Sequence, residues 1–190
     1  GYVTVFPCAA PRPTASSVNY AAGAVTPGLV VVKLGGGAAQ GKVCLYTKAS
    51  AHLLVDVAGY FPADAAFAPV VPQRLIDTRG LGTADGSQNG GGALPAGGTT
   101  VVQVRGRAGV PDHATAAALN IVATGTAAPG FVTVYPCGTE RPWVSGVNYE
   151  TGDTRSNTVI SQIGEDGTVC LYTLSGAHLV ADIPGYFVRD

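Results

Sequence analysis

Apolar and polar residues alternate with a period of two along much of the chain. The clearest run is Gly1–Pro7 (GYVTVFP), and the same pattern returns at Gly130–Pro136 (GFVTVYP). Such alternation predicts half-buried strands, each ended here by a proline. Further strands are predicted at 30–34, 43–47 and 52–57, and at the matching 159–163, 169–173 and 178–183, with glycine-rich hairpin turns between them.

These matching strands belong to an internal duplication. Residues 1–61 align with residues 130–187, and only the turn before the second cysteine of each copy differs in length, by three residues. Glycine, proline, cysteine, the Asn-Tyr pair, the His and Asp four residues apart and the GYF ending all recur in the same order. Chance does not produce such a match, so one unit has been copied.

A different segment, residues 63–129, separates the two copies. It begins with RLIDTRG (74–80), continues through a glycine-rich loop (80–98) and ends in two predicted strands, TTVVQVRGRAGVP (99–111) and 116–124. Residues 114–119 are the one stretch for which a helix can be argued, and the β-rich flanks favour a strand there too. The long loop suits either a plain surface connection or the rim of a binding site.

Composition agrees with a chain of short strands and many turns. Of 190 residues, 27 are glycine and 13 proline, while charged residues make up 12%, about half the usual share. We predict an all-β protein, an antiparallel Greek-key-like β-sandwich with a half-module at 1–62 and a complete module at 63–190. The net charge of −1 argues against nucleic acid as a partner, and no apolar run is long enough to span a membrane.

The four cysteines fall at corresponding places in the two copies. They permit three connectivities, of which the duplication favours Cys8–Cys44 and Cys137–Cys170, because each copy then closes its own bridge. A zinc site is the alternative, but it needs cysteines paired at short spacing, and the sequence has none. Disulfides indicate an oxidising, extracellular setting.

Three groups of polar residues are candidates for chemistry or for structure. His52 with Asp56, and His178 with Asp182, lie four apart on predicted strands and so share a face. A metal site or a catalytic pair needs a further ligand or nucleophile, which is not apparent, so we expect each Asp to hold the following GYF turn. Asp77 and Arg79 could form an ion-pair staple or contact a ligand. We expect them to be structural and, because they share one face of a strand, to bond to different neighbours.

The best binding candidates lie in the second copy. They are Arg141, Trp143, Asn148, Tyr149 and Glu150. Sugars are recognised by an aromatic face together with amide, carboxylate or guanidinium groups. Trp143 is the one Trp of the chain, and the first copy has Thr14 in its place. The alternatives are that Trp143 is a half-buried core aromatic and that the recurring Asn-Tyr pair supports the fold.

Motifs of known enzymes are missing from the sequence. There is no G-x-S-x-G serine motif, no H-E-x-x-H and no phosphate-binding loop, and GEDGT (164–168) lacks the spacing of a calcium loop. We therefore expect a protein that is not an enzyme and that holds no metal or cofactor. A small extracellular hydrolase is the weakest of the hypotheses.

Several motifs, taken in order, resemble a known kind of module. RLIDTRG, ALNIVATGTAAPGFVTVYPCG and GAHLVADIPGYF are similar to the repeated β-rich modules of secreted actinobacterial proteins, where they accompany cell-wall hydrolases, esterases and proteases. The resemblance covers residues 69–188, and the first copy matches only the later half of a module. It implies a non-catalytic appendage at the cell surface, with polysaccharide or peptidoglycan as the expected partner. It also implies either a DTR segment before Gly1 or a different pairing of residues 1–62.

The two copies carry opposite charge. Residues 1–62 have a balance of +3, and residues 130–190 a balance of −4. Attraction between equivalent folds predicts head-to-tail self-association, which can generate a filament. The alternative is drift of surface residues after duplication. A structural module that packs end to end, or acts as a spacer, is therefore the second hypothesis for function.

Overall fold

The computed structural model describes residues 1–24, 26, 28–55, 57, 60–61 and 66–188. Within them one short 3₁₀ turn, Gly37–Ala39, accompanies strands that pair antiparallel throughout. The strands are β1 (Tyr2–Pro7), β2 (Val18–Asn19), β3 (Val43–Thr47), β4 (Phe67–Asp77), β5 (Thr99–Gln103), β6 (Ala114–Thr124), β7 (Gly130–Pro136), β8 (Val147–Tyr149), β9 (Thr154–Gln162), β10 (Thr168–Thr173) and β11 (His178–Val188).

Residues 67–188 form a β-sandwich. One sheet has the strand order β4-β11-β6-β9 and the other β5-β10-β7-β8. The chain passes from one sheet to the other at every connection from β4 to β11 except the one between β7 and β8. Apolar residues of both sheets meet in one core, among them Leu75, Leu119, Ile121, Val132, Leu171 and Leu179. The predicted antiparallel β-sandwich is confirmed, and the described residues contain no helix long and apolar enough to cross a membrane.

The recurring glycine and tyrosine of each copy are explained by one contact. Gly130 pairs with Tyr149 across β7 and β8, and a Cβ on Gly130 would lie 2.8 Å from the Tyr149 hydroxyl oxygen. In the first copy a Cβ on Gly1 would lie 2.6 Å from the Tyr20 ring. The tyrosine ring therefore occupies the space that only glycine leaves free.

The first copy forms half of a sandwich. Its strands β2-β1-β3 make a three-stranded sheet, equivalent by duplication to β8-β7-β10. The strands predicted at 30–34 and 52–57 are wrong, because residues 30–34, 52–55 and 57 are described and lie outside any strand. Their duplicates, β9 and β11, pair with β6, and β11 also with β4. The first copy has no such partners among the described residues.

Both predicted disulfides are confirmed. Cys8 is bonded to Cys44 and Cys137 to Cys170, with Cα atoms 5.0 Å apart in each pair. Each bridge ties the residue after the first strand of its copy to the strand beside it. The enclosed loops of 36 and 33 residues correspond to about 3–4 kcal/mol of stabilisation per bridge in the chain-entropy account.

Candidate functional site

A buried cluster of charges lies on β4 and β11. Arg74 donates from Nε to Asp182 Oδ1 at 2.8 Å and from Nη1 to Asp77 Oδ2 at 3.0 Å. All three side chains are almost completely buried. Charges removed from water in this way require close pairing, which the two carboxylates supply to one guanidinium.

Asp77 and Arg79 bond to each other, so the expectation that they bond to different neighbours is wrong. The Arg79 amide donates to Asp77 Oδ1 at 3.0 Å, and its Nη2 donates to Asp77 Oδ2 at 2.7 Å. The strand ends at Asp77 and the chain turns, with the Gly80 amide donating to the Asp77 carbonyl, which brings residue 79 back over residue 77. Burial alone would raise the pKa of Asp77, but the bonds from Arg79 and the charge of Arg74 lower it.

The first copy closes over this cluster. The Ser16 amide donates to Asp182 Oδ2 at 3.2 Å, Arg74 Nη2 donates to the Thr14 carbonyl at 3.3 Å, and Asn120 Nδ2 donates to the Ser16 carbonyl. We call this contact of Thr14–Ser16 with Arg74, Asn120 and Asp182 the joint. The cavity remaining there is about 20 Å³, room for about one water molecule. The joint is therefore a structural contact rather than a ligand site.

The prediction that Asp182 holds a GYF turn is wrong, because residues 185–187 continue β11 and pair with β4 and β6. Its carboxylate accepts hydrogen bonds from Arg74 and from the backbone of the other copy. Burial raises the pKa of Asp182, and the bond and charge of Arg74 oppose this.

The His–Asp spacing does not produce a pair in the second copy. His178 Nδ1 lies 3.1 Å from Thr78 Oγ1, whereas Asp182 is bonded to Arg74. In the first copy His52 is exposed, and Asp56 lies outside the described residues. Across the described part of the chain, no three His, Cys, Asp or Glu side chains are grouped to hold a metal ion.

Trp143 is the most exposed large apolar residue of the sandwich. Its side chain is 88% exposed, so the alternative of a half-buried core aromatic is wrong. The guanidinium carbon of Arg141 lies 5.0 Å from the centre of the Trp143 ring and 4.1 Å from that of Tyr172. Arg141 is thus held by two aromatic side chains, an arrangement that restricts all three.

The surface continues from Tyr172 along the outer face of the sheet. The Tyr172 and Phe131 rings have their centres 6.2 Å apart, and Phe131 pairs with Asn148 on β8. We call Trp143, Arg141, Tyr172, Phe131 and Asn148 the aromatic strip. Sequence reasoning missed Phe131 and Tyr172, although the alternation in β7 and β10 places them opposite the buried Val132 and Leu171.

Two of the predicted binding residues lie outside the strip. Tyr149 is a core residue, and its hydroxyl lies 2.6 Å from Thr173 Oγ1 and donates to the Ser175 carbonyl at 3.0 Å. Tyr20 makes the same two bonds in the first copy, to Thr47 and Ala49. The side chain of Glu150 is exposed, and its backbone belongs to the turn after β8.

The first copy has part of the strip but not its tryptophan. Arg12 lies 3.8 Å from the centre of the Tyr46 ring, which repeats the stacking of Arg141 on Tyr172. Thr14, the counterpart of Trp143, lies in the joint. The Arg–Tyr stack therefore belongs to the shared fold, and Trp143 is what the second copy adds.

The glycine-rich loop forms a separate, shallow depression of about 340 Å³. Gln88, Gly90–Pro95 and the start of β5 line it, together with Ile76 and Thr78, and none of these residues carries a charge. The loop is fastened instead through Arg107, whose Nη2 donates to Asp85 Oδ1 at 2.7 Å. In its lining, the Thr78 hydroxyl oxygen lies 3.1 Å from His178 Nδ1.

The opposite charges of the two copies do not meet in ion pairs. Within the part of the chain that the structure describes, every ion pair lies between residues 74 and 182, and none joins residues 1–61 to residues 130–188. The two copies contact each other through hydrogen bonds instead, such as that from the backbone N–H of Asn19 to Ser156 Oγ at 3.3 Å.

No protein-family model matches this chain, and no curated protein matches it either.

Proposed function

We propose that this chain is a non-catalytic, extracellular module that binds glycan or cell-wall polysaccharide through the aromatic strip. The observation that carries the proposal is the exposure of Trp143 at 88%. A tryptophan in this position contributes nothing to the core, whereas its face offers the apolar platform on which a sugar ring stacks.

The neighbours of Trp143 support this proposal. Arg141 holds donors beside the ring, and Asn148 presents an amide at the other end of the strip. Guanidinium and amide groups are those that bond sugar hydroxyls with defined geometry. Binding would draw on a rigid surface, because Arg141 is already stacked on Tyr172 at 4.1 Å.

The setting at a cell surface rests on two further supports. The two disulfides suit an oxidising compartment. The motifs RLIDTRG and GAHLVADIPGYF resemble those of accessory modules in secreted actinobacterial proteins, which act beside cell-wall enzymes.

Retention on insoluble polymers tests this function. The protein is mixed with purified peptidoglycan and with insoluble polysaccharides, and the bound fraction is measured after washing. Trp143→Ala should weaken binding at least about tenfold, as expected for an aromatic hot spot. Tyr60→Ala is the matched control, because Tyr60 is an exposed aromatic outside the strip and its loss should leave retention unchanged.

Fluorescence gives an independent measurement. Trp143 is the one Trp, so a sugar stacked on it changes the whole tryptophan emission of the protein. Soluble fragments of a retained polymer should shift that emission in a saturable way. Two results together would count against the strip as the site. They are retention that survives Trp143→Ala, and tryptophan emission of the parent protein that does not change when soluble fragments are added.

A second candidate function is a structural module that packs against its own kind. The joint favours it, because Thr14 and Ser16 of the first copy already bond to Arg74 on β4 and to Asp182 on β11 of the sandwich. The equivalent residues of the second copy, Trp143–Ser145, are exposed. Light scattering over a range of concentration and salt separates the two functions, since a module that packs end to end grows in mass with concentration and a monomeric binding module does not.

A further inference from the structure

The outer face of the first copy carries two cations beside two tyrosine rings. The guanidinium carbon of Arg12 lies 3.8 Å from the centre of the Tyr46 ring, and Lys48 Nζ lies 5.6 Å from the centre of the Tyr2 ring. The two ring centres are 6.1 Å apart. These four side chains therefore form one continuous patch, which we call the cationic face.

The positive charge of the cationic face is not neutralised by neighbouring carboxylates. Arg12 and Lys48 are exposed, and neither forms an ion pair with any carboxylate that the structure describes. The sequence explains this, because residues 1–55 contain four Lys or Arg and no Asp or Glu. A guanidinium that stacks on an aromatic ring keeps the N–H groups at its edge free to bind an anion.

The second copy has the same Arg–Tyr stack with different charges around it. Lys48 of the first copy is replaced there by Leu174, and Pro11 is replaced by Glu140, which precedes Arg141. The stack belongs to the shared fold, whereas the second cation and the absence of an acid are particular to the first copy. The opposite charges of the two copies are therefore expressed beside their aromatic rings.

The two tyrosines indicate which kind of anion suits this face. Tyr2 and Tyr46 are half-buried, and a phenol offers an apolar ring together with a hydroxyl that donates and accepts hydrogen bonds. These groups match the C–H surface and the hydroxyls of a sugar. A nucleic-acid base needs an open aromatic face on which to stack, and Arg12 already covers one face of the Tyr46 ring. The net charge of −1 also disfavours nucleic acid.

We propose that the cationic face binds the carboxylate groups of an acidic polysaccharide. Arg12 donates two parallel N–H bonds to one carboxylate, and Lys48 attracts a second carboxylate of the same polymer as a point charge. The tyrosines contact the sugar rings between these carboxylates. This inference rests on the proposed function for the class of ligand, a polysaccharide, and adds to it a second site and a negative charge on the ligand.

The test measures binding of the full 190-residue chain to soluble polygalacturonate, a polymer with a carboxylate on each sugar. The methyl ester of the same polymer is the matched neutral ligand. Titration calorimetry at low salt should show that the acid form binds at least about tenfold more tightly than the ester, as expected for a charge-assisted hydrogen bond. This preference should fall as salt is raised to about 0.5 M, because exposed charges are then screened.

Substitutions locate the effect on the cationic face. Arg12→Gln with Lys48→Gln should abolish the preference for the acid form, and Lys48→Gln alone should reduce it while the Arg12 stack stays in place. Lys33→Gln is the matched control, because Lys33 is an exposed lysine of the same copy that lies outside the cationic face. Trp143→Ala changes the aromatic strip alone, so the preference for the acid form should remain even where retention on neutral polymers is lost.

Four results would overturn the proposal. The first is equal binding of the acid form and the ester by the parent protein. The second is an equal loss of preference in Lys33→Gln, which would assign the effect to net charge. The third is loss of the preference in Trp143→Ala, which would move the carboxylate to the aromatic strip. The fourth is tighter binding of polyphosphate or single-stranded DNA at the same concentration of charged groups, which would assign the cationic face to phosphate.

Discussion

Arg74 and Asp182 form an ion pair in the interior of the protein, with Nε and Oδ1 2.8 Å apart and side chains 8% and 2% exposed. Arg74→Ala would leave Asp182 and Asp77 buried without that partner. Breaking a buried pair by removing one member typically costs about 3–5 kcal/mol, and we expect a loss of that size in the free energy of unfolding by urea. Arg155→Ala is the control, because its partner Asp153 is near the surface and such pairs contribute less than about 1 kcal/mol.

The two copies allow the same tyrosine to be tested in two surroundings. Tyr149→Phe removes the hydroxyl that bonds to the completely buried Thr173 and to the Ser175 carbonyl. We expect a loss of about 1–2 kcal/mol in the free energy of unfolding, the usual range when a buried partner is left unsatisfied. Tyr20→Phe removes the same bonds at a half-buried site and should cost less. Equal losses would contradict the assignment of Tyr149 to the core.

The two disulfides should differ in their effect on the sandwich. Cys137→Ala with Cys170→Ala opens the bridge between β7 and β10, inside the sandwich, and should lower its free energy of unfolding by about 3–4 kcal/mol. Cys8→Ala with Cys44→Ala opens the bridge of the three-stranded sheet. Thermal unfolding followed by circular dichroism should then show a smaller shift of the main transition. A larger shift for the Cys8 pair would mean that the sandwich depends on the first copy for most of its stability.

Acid is expected to destabilise the protein. Arg79 and Arg74 lower the pKa of Asp77, and the hydrogen bonds from Arg107 lower that of Asp85. The unfolded chain therefore takes up protons at these carboxyls near pH 3.8, their ordinary value, before the folded chain does. The stabilisation is complete above about pH 5 and falls as the pH drops below it.

Urea unfolding at a series of pH values from neutral to acid measures this effect. Asp85→Asn should reduce the dependence on pH, because one of the two carboxyls no longer titrates. Asp182 acts in the opposite direction, since burial raises its pKa and the folded chain takes up that proton first. A variant Asp85→Asn with the full acid response of the parent would contradict the part assigned to the Asp85–Arg107 pair.

The strands that sequence reasoning located are those whose partners are present. Alternation in Gly130–Pro136 predicts β7 because the apolar side chains at every second residue mark the face of the strand that is buried. The same alternation at 52–57 predicts a strand that is absent from the described residues 52–55 and 57. The hydrophobic pattern shows which residues of a segment are suited to burial, but a strand forms only where a neighbouring strand supplies the backbone hydrogen bonds.

The candidate site was predicted in part for a similar reason. Trp143 differs between the copies, and comparison alone singles it out. Phe131 and Tyr172 correspond to Tyr2 and Tyr46 of the first copy, which are also aromatic, so no difference between the copies points to them. Their place beside Arg141 depends on the pairing of β7 with β10, which the sequence pattern does not specify.

The joint has a consequence for how the repeat is counted. The Asp182 carboxylate accepts hydrogen bonds from Arg74 in its own sheet and from the backbone amide of Ser16 in the other copy. A substitution at any of these positions therefore disturbs hydrogen bonds on both sides of the contact, and neither copy can change there independently of the other. The chain inherits two copies of one motif, yet the number of motifs is not the number of units that fold and evolve independently.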